Sequence, residues 1–333
     1  MKKILNDPAN YVDETLDGLV AAHPEHYRLH GDSHRVVARA TPGDKGKVGI
    51  VTGGGSGHLP VFTGYVGKGL LDACAIGDVF SSPSAEQMAD AIRAADTGAG
   101  VLRLYGNYGG DVMNFDMAGE LVDFEDISCS TVLLADDVAS AEPAEREKRR
   151  GVAGMIYAFK TAGAAAEQGR DLDAVTAVAQ KTADACRSIG AALGSCTVPR
   201  AGKPTFEIAD DEMEMGMGIH GEPGVWRGKL KPADEIAGEM MDRLLADLPL
   251  SGGDKVSVLV NSLGATPPEE LYILFRTVKA RIEASGATLV MPLIGRYATS
   301  MEMAGVSFTL CKLDDELETL LKAPCDCAFW RVG

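Results

Sequence analysis

The sequence predicts an α/β protein made of two α/β domains, each with a mainly parallel or mixed sheet flanked by helices. Short apolar segments with strand character alternate with longer segments of helical periodicity along the chain. The 333 residues also exceed the roughly 100–200 residues of a typical single domain. Because alternating strands and helices favour parallel sheets, we expect ligands to bind in the loops beyond the strand ends.

The first half supplies the elements of the first predicted domain. An apolar strand over 47–52 runs into a glycine-rich stretch. Ser84 can cap a helix over 85–95, because Gln87 stands three residues later and completes a capping box. The other predicted elements are strands over 100–105 and 131–135 and alanine-rich helices over 151–168 and 172–193.

The second half repeats the alternation. We predict helices over 232–246, 267–285 and 314–321, and strands over 256–260, 287–293 and 307–310. Between the halves, the composition changes to a loop with Gly202 and Pro204, near an acidic, methionine-rich segment. We therefore place the domain boundary within residues 185–200, which makes 1–190 the first domain and 191–333 the second.

Composition limits the classes of function. Lys and Arg total 32 against 48 Asp and Glu, and a net charge of −16 would repel a polyanion, so we expect no nucleic-acid partner. No stretch approaches the roughly 20 apolar residues of a membrane span, which predicts a cytoplasmic protein without membrane contact. The seven scattered cysteines indicate reduced thiols. Cys325 and Cys327 lack a second Cys or His pair at ligand spacing, so no metal site is predicted.

The glycine-rich stretch VTGGGSGHLP (51–60) suggests a phosphate-binding loop, but the known loop patterns fail. The third glycine of a dinucleotide fingerprint falls on His58. The spacing of Gly64 and Gly69 fits a P-loop, but Leu70 stands where lysine is required. The motifs of a protein kinase are also missing. We therefore expect this chain to bind no nucleotide cofactor of its own.

Three glycine-rich loops each carry one ionisable group of interest. The loops are GGGSGH with His58, YGNYGGDVMNF with Asp111 and MGMGIHGEPG with His220. Each has a structural alternative, in which Ser56 caps an ordinary turn, Asp111 caps a helix, or the methionines beside His220 fill a core. Glycine, however, lets a ligand approach the backbone closely. Three such loops in one chain indicate a binding site for a small polar ligand.

The chemistry of these groups suits a small hydroxylated carbonyl compound. A neutral imidazole can add to a ketone or aldehyde carbon. A carboxylate can accept the proton of a hydroxyl group that attacks phosphorus. His58, Asp111 and His220 thus supply two possible bases and one nucleophile, without a metal cluster or a lysine for a Schiff base.

The chain resembles the substrate-binding K subunit of dihydroxyacetone kinases over nearly its whole length. The segments that carry the resemblance are ILNDP (4–8), GGGSGH (53–58), GDVFSSPS (77–84), NYGGDVMNF (107–115), RRGVAG (149–154), GMGIHGEPG (216–224), NSLGATPPEELYIL (261–274) and KLDDEL (312–317). The resemblance implies a two-domain α/β subunit, usually a homodimer, in which His220 binds the ketone carbonyl covalently as a hemiaminal.

The resemblance also implies roles for the other loop residues. His58 would hydrogen-bond the substrate and assist as a base, while Asp111 would take the proton from the hydroxyl being phosphorylated. The pocket would be lined by Gly55, Ser56 and Gly57. Glycerol has no carbonyl to bond to the histidine, so we expect polyols to be poor substrates.

In this family the phosphoryl donor is carried by another subunit or domain. The resemblance implies an L subunit that holds ATP and magnesium, or ADP that a phosphotransferase system recharges. No all-helical region follows the second half of this chain, so we expect the donor on a separate polypeptide.

Two positions depart from the family pattern. Leu59 stands where dihydroxyacetone enzymes carry Glu, and Gly106 stands where they carry Lys. The loss of a charged side chain near the pocket predicts room for a longer ketose such as erythrulose, while Gly106 can still offer its backbone to the ligand. The competing hypothesis is a non-catalytic, ketone-sensing coactivator, because the family includes such relatives. Asp111 together with both histidines favours the kinase.

Overall fold

The computed structural model describes residues 2–333. Its helices are α1 (Tyr11–Ala22), α2 (Ala85–Ala95), α3 (Gly109–Asp123), α4 (Gly154–Glu167), α5 (Leu172–Ala185), α6 (Ala233–Asp247), α7 (Pro268–Ala284) and α8 (Asp315–Lys322). Its strands are β1 (Tyr27–His30), β2 (Val36–Arg39), β3 (Gly49–Ser56), β4 (Ala73–Val79), β5 (Val101–Gly106), β6 (Cys129–Leu134), β7 (Cys186–Ala192), β8 (Glu212–Met215), β9 (Trp226–Lys229), β10 (Lys255–Ser262), β11 (Thr288–Leu289), β12 (Leu293–Gly295), β13 (Gly305–Leu313), β14 (Cys325–Asp326) and β15 (Arg331–Val332). Within residues 2–333, no helix combines the length and apolar character needed to cross a bilayer.

The first sheet has the strand order β1-β2-β4-β3-β5-β6. Strand β3 pairs in parallel with β4 and β5, and β5 pairs in parallel with β6, while β1 and β2 form an antiparallel edge. Successive residues of a strand face opposite sides of a sheet. Accordingly, Val51 lies in an apolar cluster with residues of α2 and α3, and Ile50 lies in the cluster that contains α4 and α5. The parallel direction places the ends of β3 and β5 at the same edge of the sheet.

The second sheet is mixed and mainly antiparallel. Its order is β11-β10-β13-β7-β8-β9, and β12 also pairs with β10. Helices α6 and α7 cover one face, where Met240 and Val278 pack with Val258 and Phe308. Helices α4 and α5 lie against both sheets, because one apolar cluster contains residues of these helices and of strands from each sheet. The predicted fold class, two sheets flanked by helices, is confirmed.

The first three glycines of the sequence GGGSGH, Gly53 to Gly55, lie inside a strand and not in a turn after it. The strand predicted over 47–52 begins at Gly49 and continues to Ser56. A Cβ atom on Gly53 would lie 3.1 Å from the ring of Phe115, and one on Gly55 would lie 2.6 Å from the backbone nitrogen of Ser81. Glycine is therefore required here by close packing on the strand. The chain leaves the strand only at Gly57, where φ is 104°.

The helix predicted over 172–193 is too long. Helix α5 ends at Ala185, and residues 186–192 form strand β7. The alanine-rich composition suits a helix, but β7 pairs with β13 on one side and β8 on the other, and this tertiary pairing overrides the local preference. The predicted domain boundary at 190/191 falls within β7 and stays a prediction.

Several other elements differ from the sequence predictions. The single strand predicted over 287–293 is replaced by two short strands, β11 at 288–289 and β12 at 293–295, and Met291 between them has a φ of 48°. The capping box is confirmed, because the Ser84 hydroxyl accepts from Gln87 N and the Gln87 side chain accepts from Ser84 N. No sequence pattern predicted the elements α1, α3, β1, β2, β4, β8, β9, β14 or β15.

Two helix glycines, one closely packed and one with open space around it, allow a test of the packing between α4 and the loops of the first sheet. A Cβ atom on Gly163 would lie 2.5 Å from the backbone of Gly69 and Leu70, whereas Gly238 in α6 has open space around it. We expect Gly163→Ala to lower the free energy of unfolding by about 1–3 kcal/mol through overpacking. The matched variant Gly238→Ala should raise it by about 0.5–1 kcal/mol through helix propensity. Urea denaturation measures both, and equal effects of the two changes would contradict the packing described.

Candidate active site

Three predicted residues come together at the carboxyl edge of the first sheet. The rings of His58 and His220 lie 4.8 Å apart and nearly perpendicular. His58 follows β3, and Asp111 lies in the first turn of α3, just after β5, so neighbouring parallel strands deliver both. His220 comes from the second sheet, in the loop between β8 and β9. Asp111 is close enough to His220 for the imidazole to oppose the rise in the carboxyl pKa.

The ring of His58 is buried and held in one orientation. Its Nδ1 lies 2.6 Å from the carbonyl oxygen of Thr299, and the ring stacks on Phe80 at 4.9 Å. A carbonyl oxygen only accepts hydrogen bonds, so Nδ1 carries the proton and Nε2 carries a lone pair. This Nε2 is buried and has no partner within residues 2–333. Burial and the nearby His220 lower the pKa of His58 to about 3, so the ring is neutral near pH 7.

The ring of His220 is oriented by a carboxylate. Its Nδ1 lies 2.9 Å from Oε1 of Glu222, and its backbone N donates to Oε2 of the same residue at 2.9 Å. Burial favours protonation of Glu222, but the hydrogen bond and charge of His220 outweigh it and lower the pKa of Glu222 to about 2. An ionised carboxylate only accepts hydrogen bonds, so Nδ1–H of His220 donates to Oε1 of Glu222, and Nε2 is the ring nitrogen left to contact a ligand. Tyr108 packs edge-on against this ring at 4.9 Å.

Asp111 is a buried carboxylate with a free oxygen. Its residue is 6% exposed, and Oδ1 is buried with no partner in the described part of the chain. The N-cap of α3 is Tyr108, so Asp111 does not cap the helix. Burial raises the pKa of Asp111 to about 6, although a hydrogen bond from Ser82 and the charge of His220 oppose the rise. The group is therefore a stronger base than an ordinary Asp and is still mostly ionised at pH 7.

The loop residues predicted to line the pocket surround Phe80, which stacks on His58. The Ser56 carbonyl accepts from Phe80 N at 3.0 Å. A Cβ atom on Gly55 would lie 2.8 Å from Phe80 Cα, and one on Gly57 would lie 2.8 Å from the Phe80 ring. These positions hold the aromatic ring that supports His58. Their direct contact with a substrate stays a prediction.

The two departures from the family pattern occupy different environments. A Cβ atom on Gly106 would lie 3.3 Å from both the Met155 sulfur and the Tyr108 ring, so this point is already closely packed. The Leu59 side chain is at the surface, while its carbonyl accepts from Thr299 Oγ1 at 3.0 Å. The side chain at position 59 can therefore change without altering the hydrogen bond between the Leu59 carbonyl and Thr299.

Sequence reasoning missed several residues that shape the site. Phe80 and Tyr108 lie in quoted segments of the chain, where an aromatic residue beside small residues was an available signal. Arg150, which contacts both Asp137 and Glu222, belongs to the quoted segment RRGVAG, to which no role was given. Thr299 carried no signal, because its role depends on contact with a segment 241 residues away. Across residues 2–333, no three His, Cys, Asp or Glu side chains are grouped as metal ligands.

The chain matches a known protein family over most of its length. The family model described as the Dak1 domain matches residues 17–329, and the chain belongs to that family. The resemblance to substrate-binding subunits of dihydroxyacetone kinases is thereby confirmed.

Individual relatives match over the whole chain. One is the Listeria innocua protein named PTS-dependent dihydroxyacetone kinase 2, dihydroxyacetone-binding subunit DhaK, which is 45% identical over 332 residues and 100% of both chains. Another is the L-erythrulose 1-kinase of Mycolicibacterium smegmatis, 42% identical over 337 residues, covering 100% of this chain and 58% of that protein.

Solved structures agree closely in fold. The native form of the dihydroxyacetone kinase of C. freundii matches with a TM-score of 0.90 and 32% identity over 99% of this chain and 60% of that chain. The dihydroxyacetone kinase operon co-activator Dha-DhaQ matches with a TM-score of 0.89 and 32% identity, over 96% of this chain and 98% of that chain. The fold is thus common to kinase and co-activator chains.

The raised pKa of Asp111 predicts that this residue costs stability at neutral pH. A carboxyl group whose folded pKa is about 6 binds protons more tightly in the folded state, so stability falls as pH rises from about 4 to about 6. We expect Asp111→Asn to raise the free energy of unfolding at pH 7 by about 1–3 kcal/mol, with little change near pH 4. Urea denaturation at both pH values measures this. The exposed Asp116→Asn on the same helix is the control, and a destabilised Asp111→Asn at pH 7 would contradict the assignment.

Proposed function

We propose that the protein is the substrate-binding subunit of a short-ketose kinase, which holds its ketose on His220 while a separate nucleotide-carrying L subunit phosphorylates it. The observation that carries the proposal is the placement of His58, Asp111 and His220 in one cleft. Within residues 2–333, Nε2 of His58 and Oδ1 of Asp111 have no hydrogen-bond partner, and Nδ1 of His220 is held by Glu222. Buried polar atoms without partners are rare in folded proteins, so these await a polar ligand.

The first proposed step is covalent capture of the ketone. Nε2 of His220 attacks the carbonyl carbon, the C=O π electrons move to oxygen, and a tetrahedral hemiaminal forms. The ring gives up its Nδ1 proton and the new alkoxide oxygen takes up one proton, so the adduct forms with no net change in bound protons. The Glu222 carboxylate, 2.9 Å from Nδ1, passes the ring proton on to solvent, which supplies the proton to the oxygen. Nε2 of His58 accepts a hydrogen bond from a hydroxyl of the bound sugar. With a pKa of about 3, His58 is better suited to accept this bond than to remove a proton.

The second proposed step is phosphoryl transfer to a hydroxyl of the captured sugar. Asp111 accepts the hydroxyl proton while the oxygen forms a bond to phosphorus and the bond to the nucleotide leaving group breaks. A carboxylate with a pKa of about 6 is ionised at pH 7 yet basic enough to assist. The nucleotide, ATP with magnesium or ADP recharged by a phosphotransferase system, belongs to the partner in this proposal. We also propose a cytoplasmic homodimer.

The proposed substrates are dihydroxyacetone and related short ketoses such as erythrulose. Relatives named for each of these sugars are similar to this chain to nearly the same degree, at 45% and 42% identity. Leu59 in place of Glu supports the longer ketose, since an apolar side chain stands at the surface beside His58. The packing around Gly106 offers no extra room at that point.

The second candidate function is a ketone-sensing co-activator. It is favoured by the equal structural similarity to a co-activator chain. We prefer the kinase because a sensor needs the ketone-binding histidine but has no use for a buried base with a free oxygen, which Asp111 provides. The two functions differ in whether any phosphoryl donor yields product.

Reconstitution tests the proposed function. The protein is mixed with candidate L subunits, with ATP or phosphoenolpyruvate components, and with short ketoses or glycerol. We expect a sugar phosphate to form only with both subunits and a ketose, and not with glycerol. ATP turnover by this chain alone would contradict the two-subunit proposal, and ketone binding without product from any donor would favour the sensor. His220→Ala should lose the adduct signal of carbonyl-labelled dihydroxyacetone in carbon-13 NMR, and retained adduct would contradict covalent capture.

The pH dependence of the reconstituted reaction tests the role of Asp111. Protonation removes the base, so kcat/KM for the ketose should fall about tenfold per pH unit below a midpoint near 6. His58 stays neutral down to about pH 3, so its protonation causes no second decline in kcat/KM above that pH. Initial rates between pH 4.5 and about 8 measure the profile. A midpoint near the ordinary Asp value of about 4 would exclude the buried carboxylate as the base.

A further inference from the structure

Arg150 contacts the site through one intermediate residue. Its guanidinium donates to Asp137 Oδ2 from Nε at 3.0 Å and lies 2.8 Å from the same oxygen through Nη2. Nη1 lies 3.8 Å from Oε2 of Glu222. That carboxylate in turn holds Nδ1 of His220. Asp137, Arg150, Glu222 and His220 therefore form one continuous chain of alternating charge and hydrogen bonding.

Asp137, the residue of this series farthest from His220, is held firmly by hydrogen bonds. Asp137 is 2% exposed, its Oδ1 accepts from Ala139 N at 3.0 Å, and its own backbone N donates to the Arg150 carbonyl at 3.1 Å. The Ser140 hydroxyl accepts from Arg150 N at 3.0 Å. Both residues lie in the connection between β6 of the first sheet and α4, with Asp137 three residues after the end of β6 and Arg150 four residues before α4. The arginine therefore belongs to the half of the molecule that also presents His58 and Asp111.

At the other end of the series, Glu222 and His220 lie in the loop between β8 and β9 of the second sheet. The Gly218 N donates to the Glu222 carbonyl at 3.1 Å, and Gly221 N donates to the Gly218 carbonyl at 3.1 Å, which closes a compact turn around His220. A Cβ atom on Gly218 would meet the Glu222 carboxylate and lie 2.6 Å from Nη1 of Arg150. Only glycine at this position leaves space for the carboxylate and guanidinium to meet against the backbone.

We propose that Arg150 is a positioning residue, which fixes the Glu222 carboxylate and thereby holds the His220 imidazole with its proton on Nδ1 and its lone pair on Nε2. The proposal deepens the proposed function and rests on it for the role of the nucleophile. Within residues 2–333, Arg150 is the only lysine or arginine whose side chain lies within 4.0 Å of the Glu222 carboxylate. Without the guanidinium, this carboxylate can rotate away, and the imidazole is free to take either tautomer. The arginine also ties the nucleophile's loop to the half that carries His58 and Asp111.

The first measurement reads the tautomer directly, in the ligand-free protein. Histidine labelled with nitrogen-15 reports the protonated ring nitrogen through long-range NMR couplings, and His220→Ala identifies the signal. Wild type should show the Nδ1-protonated form. Arg150→Met and Glu222→Gln should show mixed tautomers, and Arg150→Lys, which keeps charge without the planar fork, should be intermediate. An unchanged single tautomer in folded Arg150→Met would overturn the proposal.

The second measurement is the adduct equilibrium with carbonyl-labelled dihydroxyacetone. We expect Arg150→Met and Glu222→Gln each to lower the adduct constant about tenfold to a hundredfold. The double variant should lose little more than either single one, because both act through the same ring orientation. If the two single losses in the adduct constant add up in the double variant, Arg150 does not act through Glu222, and the proposal is wrong.

Control measurements distinguish a failure of this proposal from a failure of the proposed function and from misfolding of a variant. Arg146→Met removes an exposed arginine four residues earlier, which pairs with Asp184 at 3.5 Å, and should change neither readout. Thermal denaturation checks each variant, and Glu222→Gln and Arg150→Lys carry the test if Arg150→Met does not fold. If wild type forms no adduct with any short ketose, covalent capture is wrong, whereas the tautomer measurement still decides the role of Arg150.

Discussion

Hydrogen bonding between segments 57–59 and 299–301 is the constraint on which the site depends. Met301 N donates to the Gly57 carbonyl at 2.7 Å, and Thr299 N donates to the His58 carbonyl at 3.3 Å. The Thr299 carbonyl accepts from the His58 ring, and its hydroxyl donates to the Leu59 carbonyl. The first segment follows β3 of one sheet, and the second precedes β13 of the other. The cleft therefore takes its shape only when both sheets are in place, and its histidines meet as a result of that docking.

The same tautomer has different uses at the two rings. A neutral carbonyl fixes the proton of His58 on Nδ1 and gives orientation alone, while burial removes the ring's ability to hold a charge. A carboxylate holds the proton of His220 on Nδ1. In the proposed reaction, the first ring accepts a hydrogen bond and the second forms a bond. Asp111 completes the set because burial raises its pKa to about 6, whereas at Glu222 the effect of burial is outweighed by the contact with His220, which lowers the pKa of Glu222.

Local signals in the sequence were sufficient for part of the fold. The capping box of Ser84 and Gln87 depends only on residues three apart, and the helix it starts was predicted correctly. Strand β7 depends on pairing with β13, more than 100 residues away, so its alanine-rich sequence was assigned to a helix. Gly53, Gly54 and Gly55 were assigned to a turn because the sequence does not show that Phe62, Phe115 and the 80–81 backbone occupy the space of their missing side chains.

The candidate site was predictable to a similar degree. His58, Asp111 and His220 stood out because each is the ionisable group of a glycine-rich loop, and the resemblance to a family joined them into one site. Thr299 contacts His58, and Arg150 contacts Glu222, through approaches that no local sequence pattern records. The sequence thus indicated the candidate reacting groups, whose roles stay predictions, and the structure was needed to find the residues that contact them.

The backbone anchor at Leu59 has an evolutionary consequence. Its carbonyl is bound by Thr299 Oγ1, while its side chain reaches the surface next to a fixed imidazole. Substitution at this codon can therefore alter the surface beside His58 while the ring keeps its position. A variable side chain on a fixed backbone makes position 59 the first site to randomise in directed evolution toward other sugars.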